Sequence, residues 1–398
     1  MTKAAWVLTA GLLFSGAQSG VSARQLPLDI EGYYLHLGLA HTSTSFVDRS
    51  AMDFQRIRLM ASPSLGPLRF DLAYENTLSL STTEATALSG LVVSSATGAF
   101  LPLQGTITQS SRTSWRHKLD RANVTLSIGE IAEVRIGRQP ISWATTLFLT
   151  PTDPFSPFNP SDPFRAYRGG VDAARLQAFT GAFSSLELVV RPMAAVGDTT
   201  MTAAVRGHTV VSGWEVSAWT GILHDRWAGS VGVTKTISDV AIRAEGQVRE
   251  TPTGTVLRYT LGADRRMKLF DRDLYVVLEY QHDGFGTDGP EDIPRVFLSE
   301  PYQLGEMQVI GKNVMALQGA LTLTPLVSTE MFLLSNLGDP SLMVGSAASY
   351  VSGDESTIRV GLFWGLGTKE QTILSVPIPG SEFGALPLVG YGSFALFF

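Results

Sequence analysis

The chain has 398 residues, 44% apolar and 17% charged, with a formal net charge of -6, which is long for one small globular domain and uniform in texture throughout. It has no cysteine, so disulfide frameworks and thiolate metal sites are excluded. Its charges are scattered without basic blocks, which argues against a nucleic-acid partner.

The N-terminus reads as an export signal. Lys3 gives a positive start, Ala4 to Phe14 an apolar stretch and Val21-Ser22-Ala23 a small-residue cleavage site. We expect a signal peptide over residues 1–23, with cleavage after Ala17 as the alternative, and a barrel over 24–398. Beyond residue 23 no apolar run reaches the roughly 20 residues that a membrane helix needs. The spanning structure that remains is a closed barrel, in which only alternate side chains must be apolar.

Period-two alternation recurs along the chain. In Leu68-Arg69-Phe70-Asp71-Leu72-Ala73-Tyr74-Glu75 the even positions are apolar and the odd ones are Arg, Asp, Ala and Glu. A helix would spread these charges around its circumference, whereas a strand sorts them onto one face. About eighteen such segments are predicted, sixteen being the alternative. They begin near Gly32, Asp53, Pro67, Trp115, Ala132, Asp172, Ser184, Thr200 and Gly213. The rest begin near Trp227, Asp239, Gly254, Arg272, Lys312, Leu326, Pro340, Ser356 and Leu388.

The long connections, Thr77 to Ser114, Trp143 to Val171, Gly284 to Gly311 and Gly367 to Pro387, all follow odd-numbered segments. That parity is the pattern of a barrel with long loops on one side and short turns on the other. It supports an even count, because one missing strand would break the agreement downstream. Aromatic residues near segment ends, Tyr33, Tyr34, Tyr74, Trp115, Trp214, Trp227, Tyr280 and Tyr391, are expected at the headgroup girdles.

The C-terminal segment puts Phe394, Leu396 and Phe398 on one face and stops on an aromatic residue. It resembles the signal that outer-membrane barrels present to their assembly machinery. Lipids and lipopolysaccharide of a Gram-negative outer membrane are the other expected partners. Oligomeric state is not legible.

One segment cannot be a ladder strand. Between Trp143 and Asp172 prolines recur every third residue at 151, 154, 157, 160 and 163, which favours an extended loop. Phe148, Phe155, Phe158 and Phe164 gain little from an aqueous position, so the loop is expected to fold into the lumen, an external cap being the alternative. Arg135, Arg138, Asp153, Asp162, Arg165 and Arg168 would then form the constriction. Lumen-facing charges elsewhere are Arg56, Arg58, Arg69, Asp71, Arg243, Glu245 and Arg359, with Glu75, Glu133, Arg249 and Glu279 on the same faces. Signs are mixed, so cross-strand pairing accounts for many of them.

This segment, with Ile136-Gly137-Arg138-Gln139 before it and Tyr167-Arg168-Gly169-Gly170-Val171-Asp172-Ala173 after it, resembles a signature of proteobacterial outer-membrane barrels related to the alginate export family. The resemblance covers about 40 residues, Arg135 to Leu176, with Trp143-Ala144 where family members often have Trp-Gly. It implies an eighteen-stranded barrel that moves a solute, polyanions included, across the outer membrane.

No HExxH, GxSxG or glycine-rich phosphate loop is present, and no cofactor or metal is expected. The sequence therefore reads as a non-enzymatic channel or export porin for small or polymeric polar solutes. A non-transporting surface or envelope-assembly barrel is the alternative.

Overall fold

Alternating side chains can satisfy water on one face and lipid on the other only if the sheet has no open edge, and closure removes every edge. The computed structural model describes residues 29–83, 98–155, 167–195, 198–373 and 376–398, and it is such a closed sheet. Eighteen antiparallel strands form the wall. The first nine are β1 (Ile30–His41), β2 (Ser50–Ala61), β3 (Leu68–Ser81), β4 (Thr113–Ile128), β5 (Ala132–Gln139), β6 (Val171–Gly181), β7 (Ser184–Ala195), β8 (Asp198–Val211) and β9 (Trp214–Leu223). Then come β10 (Arg226–Ile237), β11 (Val240–Thr251), β12 (Gly254–Leu269), β13 (Arg272–Asp283), β14 (Asn313–Thr324), β15 (Val327–Asn336), β16 (Ser341–Gly353), β17 (Ser356–Leu366) and β18 (Val389–Phe397). Every expected start falls within three residues of the observed one.

β1 pairs with both β2 and β18, which closes the ring. The last residue completes the seam, because Gly32 N–H donates to the Phe398 carbonyl at 2.7 Å and Phe398 N–H donates back to Gly32 at 3.0 Å. Phe394, Leu396 and Phe398 all point outward and are exposed.

Connections after odd strands, numbered L1 to L9 in chain order, lie at one end and include L2 (82–112), L3 (140–170), L7 (284–312) and L9 (367–388). The other end carries the chain termini of the barrel and short turns. Ser212-Gly213 and Phe270-Asp271 turn in two residues with both φ positive, the twist that matches a right-handed hairpin. A short strand of L2, Gln104–Gln109, pairs with the part of β4 that extends beyond β5.

Most of the outer wall is an aliphatic belt, with Val205, Val231, Leu257, Leu261, Leu278 and Val360 exposed. The girdle expectation needs correction at two positions. Tyr33 and Tyr391 are buried and face inward, in a lumenal apolar cluster with Leu35, Leu37, Leu39, Met52, Phe54 and Val389. There the alternation is reversed, with the apolar side chains inward and His36, Asp53 and Gln55 outward, so alternation alone does not decide which face is outside. Tyr74 and Trp227 face outward.

The topology predicts that tags inserted at Gly289 in L7 or Gly380 in L9 label on intact cells, and that tags at Gly66 or Gly353 do not. The reverse labelling pattern would overturn the orientation. Gly90, in L2, should label as well but lies outside the described residues.

Candidate functional site

The backbone of a loop inside a barrel must find partners for its amides, since the wall has already used its own. In L3 those partners are carboxylates projecting from the wall. Thr145 and Thr146 N–H donate to Glu245 Oε2 on β11 at 2.7 and 3.2 Å. Leu147 N–H donates to Glu279 Oε1 on β13 at 2.7 Å, while Phe148 and Leu149 N–H reach Oε2 at 3.0 and 2.6 Å. Five consecutive amides are thus held by two glutamates. Hydrogen bonds to charged groups contribute roughly 1.5–3 kcal/mol each, so the pinning is strong.

Both ends of this stretch are fixed as well. Trp143 Nε1 donates to Glu187 Oε1 on β7 at 2.5 Å, and its ring meets Phe155 edge-on at 4.7 Å and Trp219 of β9 at 6.0 Å. Arg191 of β7 donates to the Phe155 carbonyl at 2.9 Å. Farther along, Gln308 of L7 accepts from Thr150 N–H at 2.6 Å and donates to the Phe148 carbonyl at 3.3 Å. Phe148 lies 6.0 Å from the Phe332 ring on β15. The loop therefore spans from the β7 side to the β15 side within the lumen.

A glycine of the wall makes room for it, because a Cβ at Gly232 would collide with Thr145, and Gly345 gives room to the Phe332 ring of β15 that Phe148 meets. Neither was singled out by sequence reading. An isolated glycine within a strand is the available signal.

The flanks of L3 are locked by ion pairs. Arg138 donates from Nε to Asp172 Oδ1 at 2.7 Å and from Nη2 to Oδ2 at 2.8 Å, and it also caps the carbonyls of Leu101 and Leu119. Asp172 Oδ2 in turn accepts from Phe100 and Leu101 N–H. Arg138 is 1% exposed. It was expected to line the constriction, but its charge is consumed at the joint of L2, β5 and β6. Asp153 is likewise buried inside L3, where it accepts from Ser142 Oγ at 2.7 Å and Arg168 Nη1 at 3.1 Å. Asp162 and Arg165, with Phe158 and Phe164, lie outside the described residues.

The remaining lumenal charges sort into two kinds. Arg58 bridges Glu75 at 3.2 Å and Asp120 at 2.8 Å, with Arg56 and Lys118 also against Glu75, in a buried network beside L3. Arg58 also stacks over Tyr167 of L3 at 4.9 Å. Arg359 pairs with Glu330, and Arg243 with Asp264 at 2.8 Å. By contrast Arg69, Arg135 and Arg175 occupy one register row on β3, β5 and β6, with Thr125 of β4 between the first two. Arg69 is exposed and the other two are partly exposed. Arg135 Nε donates to Thr125 at 2.8 Å, Arg175 reaches Glu187 at 2.7 Å, and Asn123 donates to Asp71 at 3.2 Å.

At the long-loop mouth a second carboxylate ties loops together. Glu382 of L9 accepts from Ile310 and Gly311 N–H of L7 at 2.7 and 3.0 Å and from Asn336 Nδ2 at 2.9 Å. Its neighbour Phe383 joins Phe148, Leu149 and Val309 in one apolar cluster, so L3, L7 and L9 pack together. Burial pushes the Glu382 carboxyl up to about 7, with Asp339 adding to the rise. In the turn between β9 and β10, burial and the nearby Arg191 and Arg249 push His224 down to about 3, so it is neutral at physiological pH.

No family model matches the sequence, and no curated protein matches it. Solved structures do. A BenF-like porin from Pseudomonas fluorescens Pf-5 aligns with a TM-score of 0.54 at 11% identity, over 94% of this chain and 99% of that one. OccAB1 of Acinetobacter baumannii gives 0.54 at 7% identity, over 95% and 99%. OccD3 (OpdP) of Pseudomonas aeruginosa gives 0.51 at 12% identity, over 94% and 92%. At such identities the likeness is one of fold, that of proteobacterial outer-membrane porins, and these matches carry no link to alginate export.

The Glu382 geometry makes a pH prediction. An unfolded carboxyl ionises near 4.5, whereas this one keeps its proton to about 7 in the folded mouth. Between those values the folded state binds more protons, so attachment of L9 weakens as pH rises through the window and levels off above it. Amide exchange over residues 380–386, corrected for its intrinsic pH dependence, should accelerate by about tenfold or more from pH 5 to pH 8. In Glu382→Gln the acceleration should vanish.

Proposed function

We propose that the chain is an outer-membrane channel for small polar solutes, narrowed by L3 and favouring anions. The exposed aliphatic belt supports the membrane setting, since it is what a bilayer covers. One observation carries the anion preference. The lumenal acids Glu245 and Glu279 are turned onto L3 amides, while Arg69 and Arg135 keep guanidinium surface toward the lumen beside Arg175, which is paired with Glu187. A row of one sign beside a constriction biases which ions enter.

Passage of a polymer is the less favoured form of this reading. It would require L3 to leave the lumen and give up the five amide bonds to Glu245 and Glu279. The lumenal apolar cluster around Leu37 and Phe54 favours, as a second reading, a barrel that serves as a scaffold. Planar-bilayer recording separates the two, because a scaffold gives no unitary steps.

Within the channel reading, Arg69→Ala combined with Arg135→Ala should lower the anion-to-cation permeability ratio severalfold, read from the reversal potential in a salt gradient. An unchanged ratio in a folded preparation would remove the arginine row from the mechanism.

A further inference from the structure

Over part of β1 and β2 the usual sorting of side chains is reversed. The lumenal side there is apolar, with Leu37 and Phe54 fully buried. The outer side there carries His36, Asp53 and Gln55, at positions where much of the wall has aliphatic residues, and the exposed Ile57 and Leu59 of β2 and Phe394 and Leu396 of β18 lie on the same face. His36 Nε2 and Asp53 Oδ2 are 2.5 Å apart, and Gln55 Nε2 donates to Asp53 Oδ1 at 3.0 Å. The pair is not hidden, with side-chain exposures of 45% and 38%. His36 is midway along β1, at the level of the aliphatic belt, where an ion pair facing hydrocarbon is strongly disfavoured.

Around this pair the wall is dented. Gly38, Ala40, Ala51, Gly390 and Gly392 contribute almost no side-chain volume, and with Asp53 and Leu80 they line a concavity of about 610 Å³. Small residues allow another transmembrane surface to approach the backbone closely.

We infer that this sector is an interface in which a second copy of the chain covers the outer face of β18, β1 and β2. A soluble protein does not reach the middle of the belt, so the cover must itself lie in the bilayer. It must also present a hydrogen-bond donor and an acceptor at the depth of His36 and Asp53. A second copy related by a two-fold axis along the membrane normal meets both conditions, because its own His36, Asp53 and Gln55 sit at the same depth. The patch is self-complementary, donor facing acceptor, as an isologous contact requires.

The absence of cysteine makes the test clean. Ala40→Cys in the full chain, treated in isolated outer membranes with a short bifunctional thiol reagent, should give a covalent dimer. Val231→Cys, on the aliphatic wall, should stay monomeric. Gly390→Trp should convert the native-mass dimer to monomer with the barrel intact, since a Cβ there would meet no atom within 4 Å. Equal cross-linking at both cysteines, or at neither, would overturn the proposal. So would a monomer that retains lipid or lipopolysaccharide released by Gly390→Trp, which would make the dent a lipid site.

Discussion

The lumen of this barrel is organised by carboxylates that leave the wall to meet backbone amides. A loop of the length of L3 brings into the barrel N–H groups that the closed sheet cannot satisfy, and leaving them unpaired in a dry interior costs several kcal/mol together. Glu245 and Glu279 resolve this by accepting all five amides from Thr145 to Leu149. The aromatic packing of Trp143, Phe148 and Phe155 then follows, because the backbone that carries those rings is fixed. The glycine at 232 follows from the same constraint, as relief where loop and wall come close.

The same arrangement decides the electrical character of the lumen. Acid groups turned toward amides have their charge screened by those bonds, and Arg69 on β3 and Arg135 on β5 are left to meet water, while Arg175 on β6 is paired with Glu187. Elsewhere the bases are consumed in turn. Arg138 is clamped on Asp172, where removing either partner would strand a buried charge at a cost of roughly 3–5 kcal/mol. A chain of mixed charge thus separates its charges by what each one touches, and not by where it falls in the sequence.

The wall was legible because alternation and turn chemistry are local. Leu68 to Glu75 announces its two faces in eight residues, and the parity of the long connections fixed the even count. The inward course of L3 was legible from its prolines and phenylalanines, which suit neither a strand nor water. Partners were not. Glu279 and Leu149 are 130 positions apart, and nothing in either neighbourhood marks them as a pair. Arg138 and Asp153 were identified as charges in the right region, yet whether a charge faces water or a partner is set by that distant pairing. Tyr33 and Tyr391 were misplaced for a related reason. Alternation sorts side chains onto two faces, and where the apolar face turns inward, as around Leu37 and Phe54, only closure of the barrel shows it.

The central claim is that Glu245 and Glu279 hold L3 across the lumen and so set its width. Single-channel conductance of the Glu245→Ala, Glu279→Ala double variant, in a preparation shown to be folded, tests it most directly. The account predicts a conductance at least about twofold above the parent, with added open-channel noise as the unpinned loop moves. A conductance and noise identical to the parent would contradict it.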